Sequence, residues 1–216
     1  MPVLNEITRH AAPAGRPQPI AFFGDTLWVG CWDSSRLYAI DPKTWSTREE
    51  VALPGQPFGL AAHEGALRVV ISIGEGNDDD DRYIYSYVPG TTFDPSTRIE
   101  CPDLTGSHLL SNGPDLWLVQ QTNRRMMQLD AKGTALRTVP LPTRCAGACF
   151  DGQTLYYITA DDEFDHLHLA TLDLASGAPS LTMIAPMSVE ARGLAVHGND
   201  FWTCYREQNE IVSFTH

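Results

Sequence analysis

Apolar and polar residues alternate along this chain in short runs broken by Gly, Asn, Asp and Pro, a two-residue period that predicts many short strands joined by turns. The clearest stretch is Gln18 to Asp41, QPIAFFGDTLWVGCWDSSRLYAID. It reads as an apolar strand, a Gly-Asp turn, a Leu-Trp-Val strand, a polar loop and a third strand ending in Asp. The same order then recurs four times.

Aligned on the second strand, Leu27-Trp28-Val29 stands over Leu67-Arg68-Val69, Leu116-Trp117-Leu118, Leu155-Tyr156-Tyr157 and Phe201-Trp202-Thr203, at steps of 40, 49, 39 and 46 residues. Steps of this size suit one four-stranded propeller blade. First strands precede each copy at Ile20–Phe23, Gly59–Ala62, Leu109–Ser111, Ala148–Phe150 and Leu194–Val196. The turns GDT, HEGA, NGPD, DGQT and HGND follow them, with residues that tolerate positive φ. Third strands are RLYAID, YIYSYV, RMMQLD, HLATLD and EIVSFT; fourth strands are readable at Thr47–Leu53, Arg98–Cys101, Leu136–Leu141 and Leu181–Ala185.

The fifth copy ends after its third strand, and Val3–Thr8 alternates suitably to supply the missing one. That pairing removes an exposed sheet edge. The expectation is an all-β, five-bladed β-propeller of four-stranded antiparallel blades, closed by the N-terminal strand. One domain spans 1–216, with blades at about 18–55, 56–104, 105–143, 144–188 and 189–216 plus 3–8. Five first strands crowd one axis, so small residues belong there. One column reads Ala21, Ala61, Leu110, Cys149 and Ala195; two positions earlier stand Pro19, Gly59, His108, Gly147 and Gly193, glycines that leave room for a ligand beside His108.

The Gly turn, the Leu-Trp-Val strand and the strand ending in Asp, followed by Pro in the first copy, resemble the superfamily of gluconolactonase-like, NHL-repeat and virginiamycin B lyase-like propellers. The resemblance covers nearly the whole chain and concerns architecture. It implies that ligands and catalytic ions sit at one mouth of the central channel, built from the starts of the first strands and the loops between second and third strands. A gluconolactonase resemblance also implies an acidic metal ligand at the start of a first strand, where this chain has Pro19, Gly59, His108, Gly147 and Gly193. Glutaminyl cyclases share the blade count, without a specific motif here.

Composition narrows the picture. With 216 residues, 43% of them apolar, one core is the default. A net charge of −12 argues against nucleic acid, and no stretch is long and apolar enough to span a membrane. Five irregularly spaced cysteines and no apolar leader point to reduced thiols and the cytoplasm, in a monomer or small homo-oligomer.

Under the alignment the mouth collects Gln18, Phe58, Ser107, His108, Arg144, Cys145 and Arg192 from first strands, with Trp32, Asp33, Gln120, Gln121, Tyr205, Arg206 and Glu207 from the loops. His108 has the titration range of a general acid or base, or is a histidine satisfied at a blade junction. Arg144 and Arg192 fork onto an anion or pair with the acidic loops. Trp32, Asp33, Phe58, Gln120, Tyr205, Arg206 and Glu207 are the candidate substrate-binding residues, with Asp33 or Glu207 orienting the imidazole.

Glu75 and Asp78 in GEGNDDDDR and Asp161 in ADDEFDH are candidate ligands for calcium or magnesium, or solvated charge. In CAGAC the thiols of Cys145 and Cys149 are expected on one strand face about 13 Å apart, too far to bridge. Trp28, Trp117 and Trp202 read as core between blades.

Two functions follow. The first is an enzyme acting on a small polar or anionic molecule at the channel mouth, of lyase or hydrolase type, with His108 as acid or base and Arg144 and Arg192 as anchors. The second is a non-catalytic binding propeller whose acidic rim meets a basic protein or a divalent cation.

Overall fold

In the computed structural model, which describes residues 4–74, 80–174 and 179–216, the chain forms five four-stranded antiparallel sheets. The chain opens with β1 (Asn5–Ala11). Blade 1 is β2 (Pro17–Phe23), β3 (Thr26–Cys31), β4 (Arg36–Asp41) and β5 (Ser46–Ala52); blade 2 is β6 (Gln56–His63), β7 (Ala66–Ile73), β8 (Asp81–Tyr87) and β9 (Arg98–Glu100). Blade 3 holds β10 (His108–Ser111), β11 (Leu116–Gln120), β12 (Arg125–Leu129) and β13 (Ala135–Pro140); blade 4 holds β14 (Arg144–Asp151), β15 (Thr154–Ala160), β16 (Leu167–Asp173) and β17 (Ser180–Met187). Blade 5 is β18 (Ala191–His197), β19 (Asp200–Tyr205) and β20 (Glu210–Thr215), with β1 paired on the outer edge of β20. No helix among the described residues is long and apolar enough to cross a membrane.

The N-terminal strand therefore closes the ring, but over Asn5–Ala11 rather than 3–8. Its register runs from Asn5 opposite Thr215 to Ala11 opposite Glu210, and Ala12 N–H continues it onto the Asn209 carbonyl at 2.8 Å. The Thr8 and Ser213 hydroxyls bond at 2.6 Å, and a register shift between Glu6 and Thr8 leaves Ile7 exposed. His10 stacks on Trp45 at 4.0 Å, and Trp45 donates its indole N–H to the Ala11 carbonyl at 3.0 Å, fastening the closing strand to blade 1.

The core lies between blades, because each twisted sheet buries both faces against its neighbours. Trp28 of blade 1 meets Tyr87 of blade 2 edge-on at 5.8 Å, and Trp202 of blade 5 meets Phe22 of blade 1 at 5.9 Å. The recurring tryptophans are inter-blade core, as their register predicts.

The five first strands surround the axis, and at their turn ends they alone line a small cavity of about 120 Å³ walled by Ala21, Ala61, Leu110, Cys149 and Ala195. At their other ends four of the five are bulged, between Pro17 and Ile20, Pro57 and Gly59, Cys145 and Gly147, and Arg192 and Ala195. Only β10, which starts at His108, pairs regularly. A bulge adds residues to one strand, bends it and re-aims its side chains.

Two expectations change as a result. The bulge inside CAGAC breaks the two-residue alternation, so Cys145 packs between blades 3 and 4 beside Ala148 while Cys149 joins the cluster of Ala146 and Phe201 on the opposite side. The thiols do not share a face.

The column glycines also leave no space for a ligand. A methyl group on Gly59 would stand 2.8 Å from the Leu109 nitrogen, one on Gly147 2.5 Å from the Gly193 carbonyl carbon, and one on Gly193 2.4 Å from the Gln18 carbonyl oxygen. These positions let adjacent first strands touch backbone to backbone, and Gly193 does so at φ +67°.

Candidate functional site

At the bulged ends of the first strands a pocket of about 320 Å³ opens at the channel mouth. Its volume lies at the small end for ligand pockets. Trp32, Phe58, His108, Arg192 and Arg206 meet around it together with Gln18, Ser107 and Gln121; Arg82, Thr122, Glu163 and Phe164 complete the lining.

His108 is the first residue of the one regular first strand and is only 5% exposed. Its Nε2 lies 3.1 Å from the Cys145 carbonyl of blade 4. A carbonyl oxygen can only accept, so Nε2 carries the proton in the neutral ring and Nδ1 is the basic nitrogen. The imidazole thus bonds across the junction of blades 3 and 4 and also lines the pocket. Burial pushes its pKa down to about 4; the Cys145 carbonyl works against that shift, and the charges of Arg192 and Arg82 add to it. At neutral pH His108 is an uncharged imidazole.

The arginines are held flat by aromatic rings. The Arg82 guanidinium lies 3.9 Å over Phe58, Arg192 lies 4.8 Å over Phe164, and Arg206 lies 5.0 Å over Trp32. Trp32 is itself fixed by an indole N–H bond of 2.6 Å to the Pro57 carbonyl and by Phe58 at 4.6 Å. Arg192 donates from Nη1 to the carbonyls of Val189 and Ala191, each at 2.8 Å, and among the described residues forms no ion pair with a carboxylate. Burial, helped by the neighbouring Arg206 charge, pushes its pKa down to about 10. Arg206 bonds Glu207 at 2.9 Å and the Gln18 amide oxygen at 3.1 Å. Arg82 is 5% exposed and donates to the Gly106 carbonyl at 2.9 Å.

Several predicted residues lie elsewhere. Arg144 is outside the lining; its Nε donates to Asp162 at 3.0 Å, and Arg124 bonds the same carboxylate oxygen. Asp33 pairs with Arg16 at 2.5 Å and is half-exposed. The Gln120 amide is taken up inside the protein, donating to the Pro102 and Thr105 carbonyls at 2.5 and 2.9 Å and accepting from Arg125 at 2.6 Å. Tyr205 packs under the Arg9 guanidinium near the closing strand, at 5.1 Å. Glu207 is outside the lining; it bonds Arg206, and its charge also acts on Arg192.

Of the candidate metal ligands, Glu75 and Asp78 lie outside the described residues. Asp161 accepts a bond from His166 at 2.7 Å and from the Asp165 amide at 2.8 Å. Among the described residues no group of three or more His, Cys, Asp or Glu could hold a metal ion.

Sequence reasoning missed Arg82 and Phe164. Arg82 follows the acidic run and reads as its counter-charge, yet it shares the strand phase of buried Ile84, which marks the inward face of β8. Phe164 is the single apolar residue of the acidic loop EFDH, and that contrast was the available signal.

No protein-family model matches the chain, and no curated protein matches it in sequence. Among solved structures it is similar to a glutaminyl cyclase of Myxococcus xanthus, with a TM-score of 0.74 and 11% identity over 98% of this chain and 95% of that one. It is also similar to the PQQ-bound form of an aldose sugar dehydrogenase of Streptomyces coelicolor, with a TM-score of 0.65 and 14% identity over 99% of this chain and 98% of that one. At such identities the likeness shows the fold. The five four-stranded blades agree with the propeller architecture that the sequence repeat predicts.

Proposed function

We propose that this propeller is an enzyme acting on a small organic anion at its channel mouth, with Arg192 and Arg206 as anchors and His108 as the base. One observation carries the reading. In a chain of net charge −12, guanidinium groups stacked on aromatic rings line one small pocket around a buried neutral imidazole. Guanidinium forks suit carboxylates and phosphates, and pre-set donors suit charge that develops during a reaction. The acidic residues around the mouth favour this reading over an acidic-rim binding module. Asp33, Asp103, Asp162 and Glu207 are each engaged by an arginine, which offsets part of the rim's negative charge.

The chemistry follows from the protonation state. Nδ1 of neutral His108 accepts a proton from the substrate's carbon in a lyase step or from water in a hydrolase step. A pKa near 4 makes the free imidazole a weak base, and a general base works best near the ambient pH. A bound anion opposes the charges of Arg192 and Arg82 and so raises the basicity of His108 when substrate is present. Both solved neighbours quoted above are enzymes by name, which supports catalytic use of the fold.

The test is proton exchange. Incubation of the protein with a panel of small hydroxy, keto and amino acids in deuterated water, followed by NMR, should reveal deuterium at a carbon adjacent to an acid group or product formation. His108→Gln should lower that rate by about 10²–10⁴ while the fold survives. Turnover that His108→Gln leaves unchanged would remove His108 from the mechanism.

A further inference from the structure

The turn end of the channel holds a second set of chemistry-bearing residues, separate from the mouth. One residue beyond Ala21, Ala61, Leu110, Cys149 and Ala195, the axial cavity is lined by Phe22, Ala62, Ser111, Phe150 and Val196. Four of these are apolar, and one carries a hydroxyl. Ser111 ends β10, and His63 ends β6 on the neighbouring blade. Where the two strand ends meet, His63 Nδ1 lies 3.0 Å from Ser111 Oγ.

The directions of the hydrogen bonds follow from the neighbours. The Gly113 N–H donates to Ser111 Oγ at 3.3 Å, so the hydroxyl keeps its own proton to give. Its nearer acceptor is His63 Nδ1, the Gly113 carbonyl lying at 3.5 Å. The neutral ring then carries its proton on Nε2, which faces Glu64 Oε2 at 3.8 Å. The His63 side chain is 8% exposed and so is confined to this orientation, while Arg68 lies 3.8 Å from the same Glu64 oxygen. A hydroxyl, an imidazole able to take its proton and a carboxylate facing the imidazolium that results stand in the order that nucleophilic catalysis requires.

We infer that Ser111 is a nucleophile, with His63 as its base and Glu64 as a positioning residue, and that the turn end hydrolyses neutral esters of short-chain carboxylic acids. The inference does not rest on the mouth pocket. Specificity comes from the cavity beside Ser111. Its other walls are apolar and its volume is about 120 Å³, less than the roughly 150 Å³ that receives a benzene ring, so a short alkyl tail fits and a long one does not. In the first step Oγ bonds the ester carbonyl carbon, and His63 Nδ1 takes the hydroxyl proton and passes it to the departing alcohol as the C–O bond breaks. In the second, water gives a proton to Nδ1, its oxygen displaces Oγ from the acyl carbon, and the proton returns to Ser111 as the acid leaves. Cys149 shares the cavity, but burial holds its thiol protonated at neutral pH, which leaves the hydroxyl beside its base as the reactive group.

The experiment follows p-nitrophenyl butyrate and p-nitrophenyl octanoate at pH 7.5 by nitrophenolate release and locates the acyl group by mass spectrometry of quenched digests. The expected result is an acyl group on Ser111 and a kcat/KM about tenfold or more higher for the butyrate than for the octanoate. Ser111→Ala should fall to the buffer rate, and His63→Gln should lose about 10²–10⁴ in rate, with thermal melts confirming that each variant is folded. Glu64→Gln should lower kcat about two- to fivefold, the size of an exposed charge pair, and leave KM unchanged. The acyl position in the unaltered protein is read without any variant.

Hydrolysis of both esters at the buffer rate with no acyl group bound would overturn the inference, as would acyl groups on Cys149 or a lysine with none on Ser111. Equal rates for the two esters would overturn the part given to the cavity. Acylation of Ser111 as fast in His63→Gln as in the unaltered protein would remove the base.

Discussion

The two ends of the channel are made by the same five strands and differ in almost every property. At the turn end the strands pair regularly, and Ala21, Ala61, Leu110, Cys149 and Ala195 close around a cavity of about 120 Å³. At the mouth four of the five are bulged, and the pocket of about 320 Å³ is walled by arginine, histidine and aromatic side chains. Regular pairing directs mostly small apolar side chains at the axis and narrows it. Bulging re-aims the strand ends, and long side chains from neighbouring loops and from β8 join them around the pocket. The lesson is that bulges distinguish the mouth more sharply than composition along the strand does.

The comparison depends first on the ring being closed. Removing residues 1–11 strips the outer strand from blade 5, exposes the edge of β20 and frees Trp45. Both channel ends should then lose definition together, with a fall in Tm of roughly 10 °C or more, or insolubility, in a thermal melt. An unchanged Tm would mean that the closing strand contributes nothing.

Gly193→Ala attacks the mouth alone. The added methyl meets the Gln18 carbonyl at 2.4 Å in a backbone already at φ +67°, so urea unfolding should show a loss of about 2–4 kcal/mol. Ala195→Gly, two residues along the same strand at the turn end, should cost less, about 1 kcal/mol.

The pH dependence separates the ends next. The folded-state pKa of His108 is lowered to about 4 from its ordinary 6.5, so the unfolded chain binds more protons between those values. Stability from this residue is complete above about pH 6.5 and is lost as the pH falls toward 4, to an extent of about 3 kcal/mol. Denaturant melts of His108→Gln should lack that part of the slope.

The smallest effect belongs to the buried thiols, of which Cys149 lies at the apolar end. Burial pushes the Cys149 thiol well up, and holds those of Cys31, Cys101 and Cys145 up at about 12. A thiol reagent at pH 8 should label the native protein slowly and the urea-unfolded protein fast. Rapid native labelling of Cys149 would show that the turn end is open.

Most of the architecture was legible because the repeat states it five times: every second strand begins within one residue of its aligned position, and each third strand overlaps its expected segment. The site was legible in part. His108, Arg192, Trp32, Phe58 and Arg206 follow from strand starts and loop position. Gln120 did not, because an amide at the end of a strand reads the same whether it faces a pocket or knits a loop. Nor did the role of the glycines, since an empty Cα is filled by a ligand or by backbone according to how the blades lean together. Bulges leave no mark in the alternation that a single sequence reveals, and they decide the faces of Cys145 and Cys149.

The most direct test of the anion-pocket account is an NMR titration of the His108 imidazole, assigned by comparison with His108→Gln, without and with benzene-1,3-disulfonate, a dianion over the whole pH range. The account predicts a midpoint near 4 in the free protein that rises when the dianion binds, and a ring protonated at Nε2 while neutral. A midpoint at the ordinary 6.5, indifferent to the dianion, would contradict it.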